Sequence, residues 1–261
     1  MSCIYDEKNL KSLYFKLTEK RKEISKQKPI YLFQKDFDEG TYLLDKPGYY
    51  ILKEDIIFNP NPDVLPEKYN TSAFSLGFFA VMAIYADNVY LNLNGHTIKA
   101  SEEFALQQRF FSIIELANSP FIPSQGPGDF INESSFKSAN NVFIRKGKLG
   151  RSSHHGIHGN MSKNVLLEKL TIEDFEFVGL ALNGGENIVS HKIIIKDNKQ
   201  DIPVLATYSA ARFAAKFARI MLSKPLSNEQ KQELNKRLRN LQNEMDKTFD
   251  CLLYTSPSPR D

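Results

Sequence analysis

Apolar and polar residues alternate in short runs through the middle of the chain, and over residues 141–197 the alternation recurs at a fixed step. In register the stretch reads NVFIRKGKLGRSSHHGIHGNMSK, then NVLLEKLTIEDFEFVGLALNGGE, then NIVSHKIIIKDN. Asn141, Asn164 and Asn187 each stand 23 residues after the last. Val142, Val165 and Ile188 follow them, and seven positions on come Leu149, Ile172 and Ile195. Gly156 and Gly179 keep the same step, as do Asn160 and Asn183. Within a unit the apolar residues alternate (Val142, Ile144; Val165, Leu167), which is the period of a half-buried strand. A repeat in the low twenties without helical spacing predicts a solenoid, because one unit cannot bury its apolar face alone.

Elsewhere the pattern predicts a first coil from Gly40, with a turn at Pro47-Gly48 and strands around residues 50–52 and 56–58. Asn88-Val89 and Thr97-Ile98 repeat the unit in stretched form, and residues 110–116 (FFSIIEL) give another strand. A loop runs over 59–71. A longer one, over 117–138, projects from the stack, and ligand contacts commonly sit on such loops. The ends change to helical spacing. Leu10, Leu13, Leu17 and Ile24 share one side of a helix over 6–27, closed by Pro29, expected to cover the open end of the strands. Residues 206–222 and 227–248 form two more helices, the second opening on a Ser227–Gln230 capping box.

These residues resemble a known family. NV-x-[IL]-x5-[LI] units of this length with Asn at the turns are similar to the pectate-lyase-like superfamily, over roughly residues 40–200. The resemblance implies an all-β solenoid, a right-handed parallel β-helix of about 5–6 coils, flanked by N-terminal and C-terminal α-helices. A leucine-rich repeat has a similar period, but its L-x-x-L-x-L core is absent. The expected organisation is an N-terminal helix or cap at 1–39, the β-helix at 40–202, a helical segment at 203–250 and a separate tail at 251–261. That tail, CLLYTSPSPRD, resembles the in-frame translation of a sequencing adapter; a natural Ser- and Pro-rich tail has the same composition.

Composition changes this picture little. Hydrophobic content of 41% and charged content of 25% are ordinary for a globular protein. No run approaches the ~20 apolar residues of a membrane span. The N-terminus lacks a basic segment followed by an apolar one, so no signal peptide is read. The default location is cytoplasmic, with a secreted or virion-surface location following if the N-terminus is incomplete. Cys3 and Cys251 do not suggest a disulfide framework. Residues 203–250 carry nine Lys/Arg against five Asp/Glu, whereas 40–202 carry fifteen against eighteen. The basic excess therefore sits on terminal helices, and nucleic acid is not the expected partner.

Register also distributes the charges. Stacked strands place residue i about 4.8 Å from residue i+23. Arg145 is thereby set over Glu168, Arg151 over Asp174, Lys163 over Glu186 and Glu173 over Lys196. Lys146, Lys169 and Lys192 form a column of like charges, read either as lysines splayed into water or as an anion-binding strip. The segment 151–160 holds His154, His155 and His158, with Asp174, Glu176 and Asn183 one unit on. Imidazoles beside carboxylates suit general acid–base chemistry, metal binding or structural hydrogen bonds at turns.

The spacing is not the helical H-E-x-x-H pattern, so no metal is assigned. No cofactor is assigned either, and the acidic cluster required for Ca2+ is only approached. Gly156-Ile157-His158-Gly159 resembles the Gly-His-Gly of polygalacturonase-like hydrolases with one residue added. The paired-carboxylate signatures of those enzymes are absent. The resemblance implies a partner that is a polysaccharide or glycan, acidic in character, handled by lyase, epimerase or hydrolase chemistry. In a lyase or epimerase a base takes the proton α to a uronate carboxylate while a cation neutralises that carboxylate. The candidate catalytic residues are Arg151, His154, His158, Asp174 and Glu176. The candidate substrate-binding residues are Lys146, Lys148, Lys169, Lys192, Asn160 and Asn183. The alternative is a non-catalytic structural or attachment module.

Overall fold

The computed structural model describes residues 7–60, 80–107, 112–118, 136–196 and 225–255, with positions 214, 215, 218 and 222. Most of the expected 59–71 and 117–138 loops, most of the 206–222 helix and the end of the tail lie outside the described residues. The strands are β1 Ile30–Leu32, β2 Tyr42–Leu44, β3 Gly48–Leu52, β4 Ile56–Phe58, β5 Ala80–Ile84, β6 Val89–Asn92 and β7 Thr97–Ala100. They continue with β8 Ser112–Glu115, β9 Asn140–Gly150, β10 His155–Asn160, β11 Lys163–Glu173, β12 Val178–Asn183, β13 Glu186–His191 and β14 Ile194–Lys196. The helices are α1 Glu7–Ile24, α2 Glu102–Gln107 and α3 Asn228–Thr255.

The step of 23 is present where the sequence repeats. Val165 pairs with Val142 on one side and Ile188 on the other, both in parallel. Thr171–Glu173 pair with Ile194–Lys196, and His158–Asn160 with Ala181–Asn183, at the same offset. Asn141, Asn164 and Asn187 all adopt the left-handed conformation, with φ of 56°, 58° and 56°. Asparagine tolerates that region better than most residues. Their amides join into a ladder, Asn187 Nδ2 donating to Asn164 Oδ1 at 3.0 Å and Asn164 Nδ2 to Asn141 Oδ1 at 3.1 Å. Strand positions that share this left-handed conformation thus also hydrogen-bond to one another.

The expected fold class is corrected. The strands lie in two parallel sheets, one of nine strands and one of five, with helices at both ends, an α/β-type arrangement rather than an all-β solenoid or right-handed parallel β-helix of the pectin-lyase kind. The larger sheet runs β1-β3-β6-β9-β11-β13, with β4, β7 and β14 attached beside it; the smaller runs β12-β10-β8-β5-β2. The physical reason is spacing. A solenoid keeps one period, whereas here partners lie 20 residues apart between β1 and β3 (Ile30 with Tyr50), 41 between β3 and β6 (Gly48 with Val89) and 53 between β6 and β9 (Val89 with Val142). The repeat of 23 is confined to the strands from β9 onward.

One apolar core joins Leu52, Leu91, Ile144 and Leu167 with Met82, Ile114 and Ile157, so residues of both sheets pack together. Alternation along the strands turns the intervening residues the other way. Tyr90, Phe143, Leu166 and Val189, paired in register across four strands, form a second cluster with Leu17 and Ile24 of α1. The covering role expected of the N-terminal helix is therefore exercised on a face of the larger sheet, across its strands. At the other end, Ser227 and Gln230 close the expected capping box on α3, Ser227 N donating to Gln230 Oε1 at 2.9 Å and Gln230 N to Ser227 Oγ at 3.1 Å.

Close stacking leaves no room at Gly156, where a Cβ would stand 2.3 Å from Ile172 Cγ2 and 2.5 Å from the Gly179 carbonyl oxygen. Gly156→Ala is expected to lower stability by about 1–3 kcal/mol, read as a drop in the denaturant midpoint. An unchanged midpoint would mean that the two sheets do not approach there as described.

Candidate functional site

The five-stranded sheet brings together groups that lie far apart in the chain. Glu115 of β8 pairs in register with His158 of β10, which pairs in turn with Ala181 of β12. Glu115 is 2% exposed and His158 9%. His158 Nδ1 stands 2.9 and 2.8 Å from the two Glu115 carboxylate oxygens. Ser112 Oγ donates to the same carboxylate at 3.4 Å. On the other side of the ring, His158 Nε2 lies 3.4 Å from Asn183 Nδ2, which also donates to Asn160 Oδ1 at 3.1 Å. Burial opposes charge on His158, but the hydrogen bond and charge of Glu115 outweigh it and raise the imidazole pKa. Burial raises the Glu115 carboxyl as well, against the hydrogen bond and charge of His158. The pair holds its proton tightly.

Two more imidazoles extend the cluster. The His155 ring stacks on His158 at 4.8 Å and 25°. His155 Nδ1 approaches His154 Nδ1 to 2.7 Å, and His154 lies flat on Phe177 at 4.6 Å and 4°. Burial first, then the neighbouring His154 and His158, depress the His155 pKa to about 3.

The remaining sequence candidates lie elsewhere. Arg151 turns to Glu102 of α2 at 3.1 Å instead of stacking on Asp174. Asp174 sits in a left-handed turn, φ 54°, and its Oδ1 is buried without a hydrogen-bond partner; Glu176 is exposed. Lys148 pairs with the buried Glu173, which Lys196 also reaches at 3.2 Å. Asn160 and Asn183 form a second amide ladder. Lys146, Lys169 and Lys192 are exposed, each at a left-handed φ (58°, 52° and 57°).

No protein-family model, curated protein or solved structure matches this chain. Carbohydrate binding, expected from the resemblance, finds no support in the geometry. The five catalytic candidates do not converge: His154 and His158 share a cluster, while Arg151 is engaged with α2. Among the described residues, no group of three or more His, Cys, Asp or Glu has the arrangement to hold a metal ion, and no helix is long and apolar enough to cross a membrane.

Sequence reasoning missed Glu115, and it missed the α1 partners of Glu168. Glu115 was legible only as a lone acid within the apolar run FFSIIEL. A carboxylate in such a strand needs a buried partner. Glu168 was placed beside Arg145, and that pair exists at 4.0 Å. Its closest partner is Arg21 of α1, with Tyr14 Oη donating to Glu168 Oε1 at 2.8 Å and His191 Nδ1 at 3.9 Å.

Proposed function

We propose that this chain is a non-catalytic structural or attachment module built on two parallel sheets. One observation carries this above the others. The best-formed acid–base pair, Glu115 with His158, is buried, with Nδ1 on its own carboxylate, Nε2 against Asn183 and the ring face against His155. A general base must reach the proton that it abstracts, and here both ring nitrogens already have neighbours from the fold. Engagement of Arg151 by Glu102 and of Lys148 by Glu173 supports the same conclusion, since neither cation is held for a substrate carboxylate.

Incubation with a panel of uronate polymers tests it. The expected result is no unsaturated product and no new reducing ends. Product formation that disappears in a folded His158→Ala variant would overturn the proposal and restore a processing enzyme. Retention on an acidic-polysaccharide column at low salt, lost when Lys146, Lys169 and Lys192 are all replaced by Ala, would instead restore a glycan-binding surface.

A further inference from the structure

The larger sheet ends on β13 and β14 and the smaller on β12, and among the described residues no strand pairs with their outer sides. Apolar positions that are sealed further in come to the surface there. Leu149 and Ile172 are fully buried, whereas Ile195, the next residue in their file, is 47% exposed beside Ile194 at 57%. Val142 and Val165 are fully buried as well, and Ile188 after them only partly. The opposite end is dressed differently. The Gln34 side-chain amide ties up the backbone of β4, its Nε2 donating to the Ile57 carbonyl at 3.1 Å and its Oε1 accepting from Ile57 N at 2.8 Å. A bare apolar edge like that of β13 and β14 invites another strand.

The N-terminal helix reaches over that edge. Tyr14 touches His191 of β13, and seven residues later Arg21 lies over Tyr90 of β6, so α1 runs inward from the edge strand. Its first turns therefore extend outward past β13. The apolar stripe records this. Leu17 and Ile24 are buried against the sheet and Leu13 partly, while Leu10, the outermost, is 44% exposed. A strand laid alongside β13 would come to lie beneath Leu10.

Charge decides which strand fits. From Glu186 to Lys192 the edge reads ENIVSHK, with an exposed acid at one end and an exposed base at the other. Glu186 also meets Lys163 of β11 at 2.9 Å, on its inner side. Run antiparallel against itself with Val189 opposite Val189, the segment sets Glu186 against Lys192 twice and Asn187 against His191 twice. A parallel copy in register would set like charge on like. We infer that β13 pairs with β13 of a second copy of this chain, antiparallel about a two-fold axis through Val189, with α1 of each copy covering the partner's strand. Such an interface uses the same surface twice and closes at a dimer. It holds for a catalytic and for a structural chain alike.

Light scattering of the full chain over a dilution series at low salt should give twice the mass of one chain. Glu186→Lys, a surface change that sets cation against Lys192, should raise the dimer dissociation constant about tenfold, and adding Lys192→Glu should bring it back. With Cys3 and Cys251 changed to Ser, Val189→Cys should crosslink two copies on mild oxidation, since opposite Cα atoms of antiparallel strands stand about 4.5–5.5 Å apart. A single-chain mass at every concentration would overturn the inference, whether the edge then stands bare or is covered by residues following Lys196. Growth past the dimer would overturn it too, since β13 would then meet a different edge of the next copy. So would a dimer that is indifferent to both charge changes and gives no Val189→Cys crosslink, because another surface would then join the copies.

Discussion

Glu168→Ala is expected to lower the unfolding free energy by about 3–5 kcal/mol, the usual range for removing one partner of a buried ion pair. Glu168 is 3% exposed beneath α1, where it meets Arg21 and the Tyr14 hydroxyl, with Arg145 and His191 at the margin. Burial, and after it the nearby charge of Arg145, already lower the Arg21 pKa. Without the carboxylate, the buried Arg21 would keep Arg145 as a like charge nearby with no acid between them. The helix would then loosen from Tyr90, Phe143 and Leu166, so lost apolar contact adds to lost charge. A denaturant series on the purified variant reads the effect as a lower midpoint. Replacing both Arg21 and Glu168 by Leu should restore much of the stability, since apolar substitutes for a buried pair are often neutral or better. A cost below about 1 kcal/mol for Glu168→Ala would place α1 away from the sheet.

His158→Ala should be comparably damaging, and its effect should depend on pH. The pair of Glu115 and His158 binds its proton more tightly folded than unfolded, both groups being raised. A raised folded pKa contributes stability that is fully present below the unfolded value and is lost as pH rises through the folded value. With the imidazole deleted, Glu115 would be buried without its cation. Stability of the variant should therefore fall steeply with rising pH once above the ordinary carboxylate range. At neutral pH the expected cost is about 3–5 kcal/mol. Thermal unfolding of both proteins at pH 5 and pH 8 checks this, and a gap between them that narrows at pH 8 would contradict it.

The sequence disclosed what repeats and concealed what does not. Three of four vertical charge pairs read from the step of 23 are present: Arg145–Glu168 at 4.0 Å, Lys163–Glu186 at 2.9 Å and Glu173–Lys196 at 3.2 Å. The fourth failed because Glu102 of α2, outside the repeating segment, captures Arg151. The same limit explains the fold class. A period valid from β9 onward was extended to strands whose partners lie 41 and 53 residues away, and such irregular spacing leaves no repeat to see. Glu115 was hidden for a related reason, its histidine lying 43 residues further on. Arg21 reaches Glu168 across 147 residues, from helix to sheet, a distance that no local pattern encodes.

The strands from β9 onward pair in parallel at a step of 23, and a paired-cysteine experiment tests that pairing most directly. In a background with Cys3 and Cys251 changed to Ser, Asn141→Cys and Asn164→Cys are introduced together. Their natural side chains already meet at 3.1 Å. Neighbouring strands about 4.8 Å apart suit disulfide geometry. Mild oxidation should form the crosslink within one chain, seen as a mobility change on a non-reducing gel. Failure to form it, with ready crosslinking of Asn141→Cys to Lys163→Cys instead, would shift the register by one residue, turn every side chain of the strand to the opposite face and contradict the account.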